Sequence, residues 1–410
     1  MKKILLFALV IFLHYSSFSC TTAVISGKFT KDGRPMLWKH RDTWAVNNKI
    51  MRFDDGKYSY IGLVNSRDKE GKSIWIGYNS AGFAIMNSAS YNLNNDTIKQ
   101  SGLEGRLMKE ALMNCATVDD FEAMLKAMKK PTRLEANFGV IDAQGGAAYF
   151  ELANFKYTKY DATDPVVAPY GYLIRTNHSM SGTLGKGGGY IRYVTTDNEF
   201  LMAIKENRLT PATIIQKCSR NLKNSLTKVD LNDYINIPQN NPVYVSFTDF
   251  VPRRGTSSSV VVEGVKKSEN PENTVMWTVL GWPLSSVCMP LWLNTELPAV
   301  VQYDDAIEDS PLCNMALQAK EKAFTYQWGY SSKYYINVNG LLNADNTGLI
   351  QLITPFENKL LDKAYNMINK WKEKPDTEDI RIFYQWIDEN VPLFYKKTWN
   401  IVPVKQEKGK

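Results

Sequence analysis

Apolar and polar residues after position 20 alternate in short runs that turn residues repeatedly interrupt. Residues 21–26 are β-branched and apolar, Asp32-Gly33 and Pro35 give 31–35 turn chemistry, and 36–38 resume an extended run. Short strands and turns continue in this way to about residue 63. Residues 73–78 and 83–87 flank a turn at 79–82 and predict a hairpin, as do 137–141 and 147–152 around Gln144-Gly145-Gly146. Further strands are expected at 171–175, 257–262 and 275–280. Helical spacing of apolar residues marks 102–115, 121–128 and 211–218; Thr117 is placed to cap the second, with Asp120 three residues on in the manner of a capping box. Stronger helices are expected at 355–371, with Phe356, Leu360, Leu361, Ala364, Met367, Ile368 and Trp371 on one side, and at 378–390. Hairpins with helices between them predict an α+β fold with antiparallel sheets, not a βαβ wind. No internal repeat or low-complexity linker divides the chain. We therefore expect one large domain over 20–300, a helix-rich extension over 301–404 packed on it, and a disordered, solvated tail at 405–410.

The first nineteen residues follow a different pattern. Lys2 and Lys3 precede an unbroken apolar run at 4–13, and Ser17 and Ser19 stand three and one residues before Cys20. That is the layout of a secretory signal peptide cut after residue 19, and the run is too short to span a bilayer, which takes about 20 apolar residues. The expected product is exported, periplasmic or extracellular, and begins at Cys20. No later segment reads as membrane-spanning.

Composition narrows the chemistry. At 410 residues, 44% hydrophobic and 22% charged, the chain is neither a mini-protein, a disordered polymer nor a coiled coil. Its formal charge of +7 comes from signs scattered along the sequence, so no basic stripe points to nucleic acid. Cys115, Cys218, Cys288 and Cys313 lack the close spacing of metal ligands and read as small buried hydrophobes. Of three histidines, His14 leaves with the leader. His40 and His178 remain, with no HExxH, which argues against a zinc site. A Cys–His pair using either is less favoured than a structural role for both. There is no G-x-S-x-G elbow. The glycine-rich stretch 182–189 lacks the ending of a phosphate loop, and Tyr190 breaks the dinucleotide fingerprint, so we read it as a flexible connection.

Cys20 stands apart by position. A free α-amine has a pKa of about 7.7–8.0 and can act as a general base near neutral pH. On a residue that also carries a thiol, nucleophile and base come together with no histidine required. Cys20-Thr21-Thr22, the 32–35 turn, and Trp38-Lys39-His40-Arg41-Asp42 resemble the opening of the N-terminal-nucleophile (Ntn) hydrolases, closest to the choloylglycine hydrolase and penicillin acyltransferase branch that acts on linear amides. The resemblance implies a four-layer αββα sandwich, in agreement with the hairpin-and-helix pattern. It implies that Asp42 holds the α-amine and orients the nucleophile. Lys39 falls where the family has arginine, keeping the charge but losing the planar fork, and His40 replaces an asparagine. Asn87, ending the segment 79–87, matches an asparagine that lends an oxyanion contact. Asn177, in Thr176-Asn177-His178, matches one facing the scissile bond, and Arg192 matches an arginine near the nucleophile. The likeness runs to about residue 290.

The catalytic set implied is Cys20, Lys39, Asp42, Asn87, Asn177 and Arg192, with no cofactor and no metal. The partner expected is a small-molecule amide, without nucleic acid, and without a membrane unless Cys20 is lipidated; self-association into a homo-oligomer is compatible with the sequence. The activity implied is cysteine amidase chemistry through a thioester, with transfer to a second amine as a variant. Rival readings are a dipeptidase of the same nucleophile class, a lipidated surface binding protein anchored at Cys20, and a catalytically silent relative.

Overall fold

The computed structural model describes residues 19–326, 328–329 and 333–405. All of the expected leader except Ser19, and 406–410 of the expected tail, lie outside the described residues. Lys405 lies within them and pairs with Glu308 at 2.7 Å.

Two antiparallel sheets lie face to face. One is a seven-stranded meander in chain order: β3 (Asn48–Phe53), β4 (Tyr60–Asn65), β5 (Ile76–Asn79), β6 (Ala84–Ala89), β7 (Ala136–Ile141), β8 (Ala147–Leu152) and β9 (Tyr157–Asp161). The other has six strands, β1 (Thr21–Ile25), β2 (Met36–Asp42), β10 (Tyr172–Arg175), β12 (Thr256–Glu263), β13 (Val275–Leu280) and β14 (Met289–Leu291), in the order β10-β1-β2-β12-β13-β14. Val24, Leu37, Met86 and Tyr149 fill the space between the sheets. Outside the meander, α1 (Glu104–Asn114) and α2 (Val118–Ala127) bury Leu107, Met108, Leu112, Phe121 and Leu125 against Ile85, Phe138 and Phe150. Outside the other sheet lie α3 (Tyr190–Lys205), a short α4 (Pro211–Thr213) continued by a π-helical turn at Ile214–Cys218, α5 (Pro311–Lys320) and α6 (Leu349–Ile368). The fold is α+β, layered helix–sheet–sheet–helix. A two-stranded ribbon of β11 (Tyr244–Ser246) and β15 (Tyr335–Asn337) and the last helix, α7 (Thr377–Trp399), complete it.

Local chemistry accounts for several boundaries. Thr117 Oγ1 accepts the backbone N–H of Asp120, and the Asp120 carboxylate accepts that of Thr117, so the expected capping box is present. Other boundaries differ from expectation. Strand β2 runs on to Asp42 rather than stopping near residue 38, because pairing with β1 on one side and β12 on the other satisfies its backbone. Helix α6 begins at Leu349, six residues before Pro355, and α7 runs to Trp399 with Pro392 inside it. The stretch 182–189 is not simply a free connection. Asn177 and Gly188 exchange backbone hydrogen bonds of 3.1 and 3.0 Å, and Gly189 (φ +83°) caps α3.

The segment after residue 300 packs on the sandwich. Arg220, just past the π-helical turn, forms a buried ion pair with Glu357 of α6 at 2.6 Å, and the same carboxylate accepts the Cys288 N–H. The Tyr395 hydroxyl of α7 donates to the Ser285 carbonyl.

Candidate active site

Cys20 enters β1 at its N-terminal end and is 7% exposed. Arg192, in the first turn of α3, grips the same end of the strand. Its Nη1 donates to the Cys20 carbonyl (2.7 Å) and to Thr21 Oγ1 (2.6 Å), and its Nη2 donates to Asn177 Oδ1 (2.9 Å). Asn177 in turn donates through Nδ2 to the Ala89 carbonyl at the end of β6. Three of the residues singled out in the sequence are thus tied together. The glycine before α3 makes this approach feasible, since a Cβ on Gly189 would lie 2.4 Å from Arg192 Nη2. Burial lowers the Arg192 pKa to about 10, which still leaves it charged at neutral pH.

Strand β2 passes alongside and divides its side chains by alternation. Lys39 and Arg41 face the meander. Lys39 Nζ donates to both the carbonyl and Oδ1 of Asn87, each at 2.6 Å. Asn87 stands one residue beyond the last β5–β6 pair, Ile76 with Met86, where that ladder ends. An ammonium group only donates, so Oδ1 must face it and the Nδ2 donor turns away. Arg41 bonds Asn48 Oδ1 (2.6 Å) and Asn65 Oδ1 (2.9 Å) and lies 4.6 Å from the Trp75 ring centre. Burial lowers Lys39 to about 8 and Arg41 to about 10; a negative Cys20 would oppose both shifts.

His40 and Asp42 face the other way. Burial drives His40 down to about 4, so it is neutral at working pH, and its ring sits 6.1 Å from that of Trp38. Asp42 Oδ2 accepts from Arg253 Nε (3.0 Å) and Nη2 (2.8 Å), and Oδ1 accepts from Thr256 Oγ1 (2.5 Å). Arg253 Nη2 also reaches the Ser19 carbonyl at 3.3 Å. Asp42 therefore stands one residue away, through Arg253, from the Ser19–Cys20 peptide. His178 is stacked on Tyr190 with centroids 4.1 Å apart and has Nδ1 engaged with Thr176 Oγ1 and the Gly188 carbonyl, a structural position.

Arg41, Arg253, Thr256 and Trp75 complete this surrounding and were not singled out from the sequence. The segment Arg253-Arg254-Gly255-Thr256 leads into an expected strand, but only the β2–β12 register brings it to Asp42. The other four cysteines are free and buried. Burial pushes Cys115 up to about 12 and Cys218, Cys288 and Cys313 well above the ordinary thiol range, which makes them poor nucleophiles. Among the described residues no group of three His, Cys, Asp or Glu side chains is placed to hold a metal ion, and no helix is long and apolar enough to cross a membrane. Clefts of about 410, 370 and 260 Å³ lie away from Cys20, beside Trp371, Asp142 and Tyr170 respectively. The site is recognised by its chemistry, not by cavity size.

No curated protein matches the sequence. Among solved structures, a variant of conjugated bile acid hydrolase from Clostridium perfringens is similar at 12% identity over 67% of this chain and 93% of that one, with a TM-score of 0.40. The Caenorhabditis elegans ortholog of N-acylethanolamine-hydrolyzing acid amidase is similar at 13% identity over 60% and 92% (TM-score 0.39). Penicillin V acylase from Agrobacterium tumefaciens is similar at 14% over 68% and 87% (TM-score 0.36). Residues 30–228 match the family described as acyl-coenzyme A:6-aminopenicillanic acid acyl-transferase; the match begins ten residues after Cys20 and takes in Lys39, Asp42, Asn87, Asn177 and Arg192. Through that stretch, just under half of its length, the chain is similar to the penicillin acyltransferase-like family.

Proposed function

We propose that this protein is an exported cysteine amidase that cleaves a linear C–N amide bond, with Cys20 as nucleophile and its free α-amine as general base once residues 1–19 are removed. The family match supports the reaction class. The observation that carries the finer reading is the surrounding of the Ser19–Cys20 junction. Arg192 holds the Cys20 carbonyl, Arg253 links Asp42 to the Ser19 carbonyl, and the cations of Lys39 and Arg41 lie on the neighbouring strand.

In this mechanism the α-amine takes the thiol proton and the thiolate attacks the amide carbon. The resulting oxyanion is met by the Nδ2 donor of Asn87, which Lys39 turns away from itself. Collapse breaks the C–N bond, the amine departs with a proton from the α-ammonium, and a thioester to Cys20 remains. Water, deprotonated by the α-amine, then adds to the thioester and releases the acid and the thiol; a second amine in place of water gives acyl transfer. Asp42 orients the α-ammonium, with Arg253 and Thr256 holding the carboxylate.

The test is to express the full chain, determine the N-terminal mass of the secreted product, and assay it against bile-acid conjugates, N-acyl amino acids, fatty amides, β-lactam side chains and dipeptides. A chain beginning with unmodified Cys20 and cleaving an amide is expected. Cys20→Ala should abolish turnover, Cys20→Ser should leave a weak remnant, and Asp42→Asn should lower kcat/KM by about 10²-fold or more. Undiminished turnover by Cys20→Ala, or a diacylglyceryl mass on an inactive chain, defeats the reading.

A further inference from the structure

Lys39 and Arg41 are buried cations whose partners are all neutral. Lys39 has the two oxygens of Asn87, Arg41 has Asn48 and Asn65, and both lie over Trp75, with Lys39 Nζ 5.8 Å and Arg41 Cζ 4.6 Å from its ring centre. Their relative exposures are 1% and 4%, and among the described residues neither has a carboxylate within 4 Å. Burying a charge is costly unless an opposite charge or several hydrogen bonds answer it. Asp42 cannot serve, being held by Arg253 and Thr256 on the opposite side of β2. Glu104, at the start of α1, is the carboxyl that Lys39 feels, but among the described residues it forms no ion pair with it, and burial raises its own pKa. A Cys20 thiolate supplies one negative charge to two cations. The indole N–H of Trp75, the ring that both cations approach, is buried and has no acceptor among the described residues.

We propose that Lys39, Arg41 and the Trp75 N–H form a subsite for an anionic group on the amide substrate, a carboxylate or sulfonate, so that the enzyme selects charged over neutral amides. The proposal rests on the amidase reading for its substrate, but the anion site can be measured without turnover. A planar guanidinium held rigid by two asparagines is suited to a carboxylate, and the lysine adds charge without fixed direction. The N–H gains the acceptor it lacks.

Two matched pairs test this with the mature chain. Phenylacetylglycine against phenylacetylglycinamide carries the charge on the amine side, and glutaryl-p-nitroanilide against its terminal amide carries it on the acyl side. In one pair the anionic member should be preferred by at least about tenfold in kcat/KM. Arg41→Gln should bring that ratio close to one, and Arg41→Lys should restore part of it. Equal rates within both pairs, or a preference that survives Arg41→Gln, overturns the proposal. If Arg41→Gln does not fold, Trp75→Phe decides, since it removes only the N–H donor from an aromatic side chain and should reduce the ratio. If no amide is cleaved, the amidase reading fails by itself, and the subsite is read by calorimetry on Cys20→Ala. Phenylacetylglycine should then bind and its neutral amide should not; equal or absent binding of both ends the proposal.

Discussion

His40 and Lys39 occupy neighbouring positions in β2, yet their side chains meet opposite environments, and each carries a different consequence. His40 is fully buried and its pKa is lowered by burial to about 4 from an ordinary 6.5. The unfolded chain therefore takes up a proton on this ring as pH falls through 6.5, while the folded chain does so only near 4. The stability held above pH 6.5 is lost progressively down to about pH 4, by about 3 kcal/mol in all. Denaturant titration between pH 7 and 4 should follow that loss, and His40→Gln should flatten part of it if it folds. Since this imidazole stays neutral at working pH, the kcat/KM profile between pH 5.5 and 7 should not change shape in that variant. Gly189 carries a second consequence. Its φ of +83° is strained for any residue with a Cβ, and that Cβ would press on Arg192 and Thr176. Gly189→Ala should cost about 1–2 kcal/mol. It should also lower kcat by about tenfold or more, as Arg192 shifts from the Cys20 carbonyl. Thermal unfolding and steady-state kinetics on one preparation check both.

Strands and helices with regular patterns were legible before any coordinates. The hairpin around 79–82, the strands at 137–141 and 147–152, and the capping box of α2 all follow from local chemistry, and Thr117→Ala should cost about 1 kcal/mol, measurable as a shift in the unfolding midpoint. Where the pattern failed, the physical cause is specific. Strand β2 continues through Lys39, His40, Arg41 and Asp42, four polar residues that would ordinarily end a strand, because each has a buried partner or a buried pocket that local sequence does not show. Helix α3 is not marked by the apolar pattern. It follows a run of glycines, has no side-chain cap, and is rich in β-branched Ile191, Val194, Thr195 and Thr196, all weak helix signals. In α6, Pro355 suggested a beginning, but the start lies at Leu349, where Gln351 Oε1 accepts the Gly348 N–H at 3.1 Å. The site residues named from the resemblance were legible by their order along the chain. Arg41, Arg253 and Trp75 were not, since only the pairing of β2 with β12 and the stacking of the two sheets bring them to Cys20.

One tie between the sandwich and the segment after residue 300 is a buried carboxylate, Glu357 of α6. Glu357 accepts from Arg220 Nη1 (2.7 Å) and Nη2 (2.6 Å), from Gln216 Nε2 (3.0 Å) and from the Cys288 N–H (2.8 Å), and it has no exposed surface. Arg220 Nε and Nη2 also reach the carbonyls of Pro283 and Ser286, so one guanidinium joins α6 to the turn after β13. The Arg220 cation and these hydrogen bonds outweigh burial and hold Glu357 below the ordinary carboxylate range, while the carboxylate holds Arg220 above its own. Both shifts favour the charged pair. Replacing both partners by apolar residues of similar size could be nearly neutral, but removing one leaves an unanswered buried charge, at about 3–5 kcal/mol. Glu357→Gln should therefore destabilise the protein by about that amount. Arg220→Met combined with Glu357→Leu should recover much of the loss, and the single variant should not be rescued by salt, which screens buried pairs poorly. A double-mutant cycle in urea measures it. A cost below about 1 kcal/mol for Glu357→Gln, the range of a surface pair, would mean that the C-terminal helices are held by their other contacts, apolar packing and the Tyr395–Ser285 hydrogen bond among them. The sheet bearing Cys20 would then keep its shape without the ion pair.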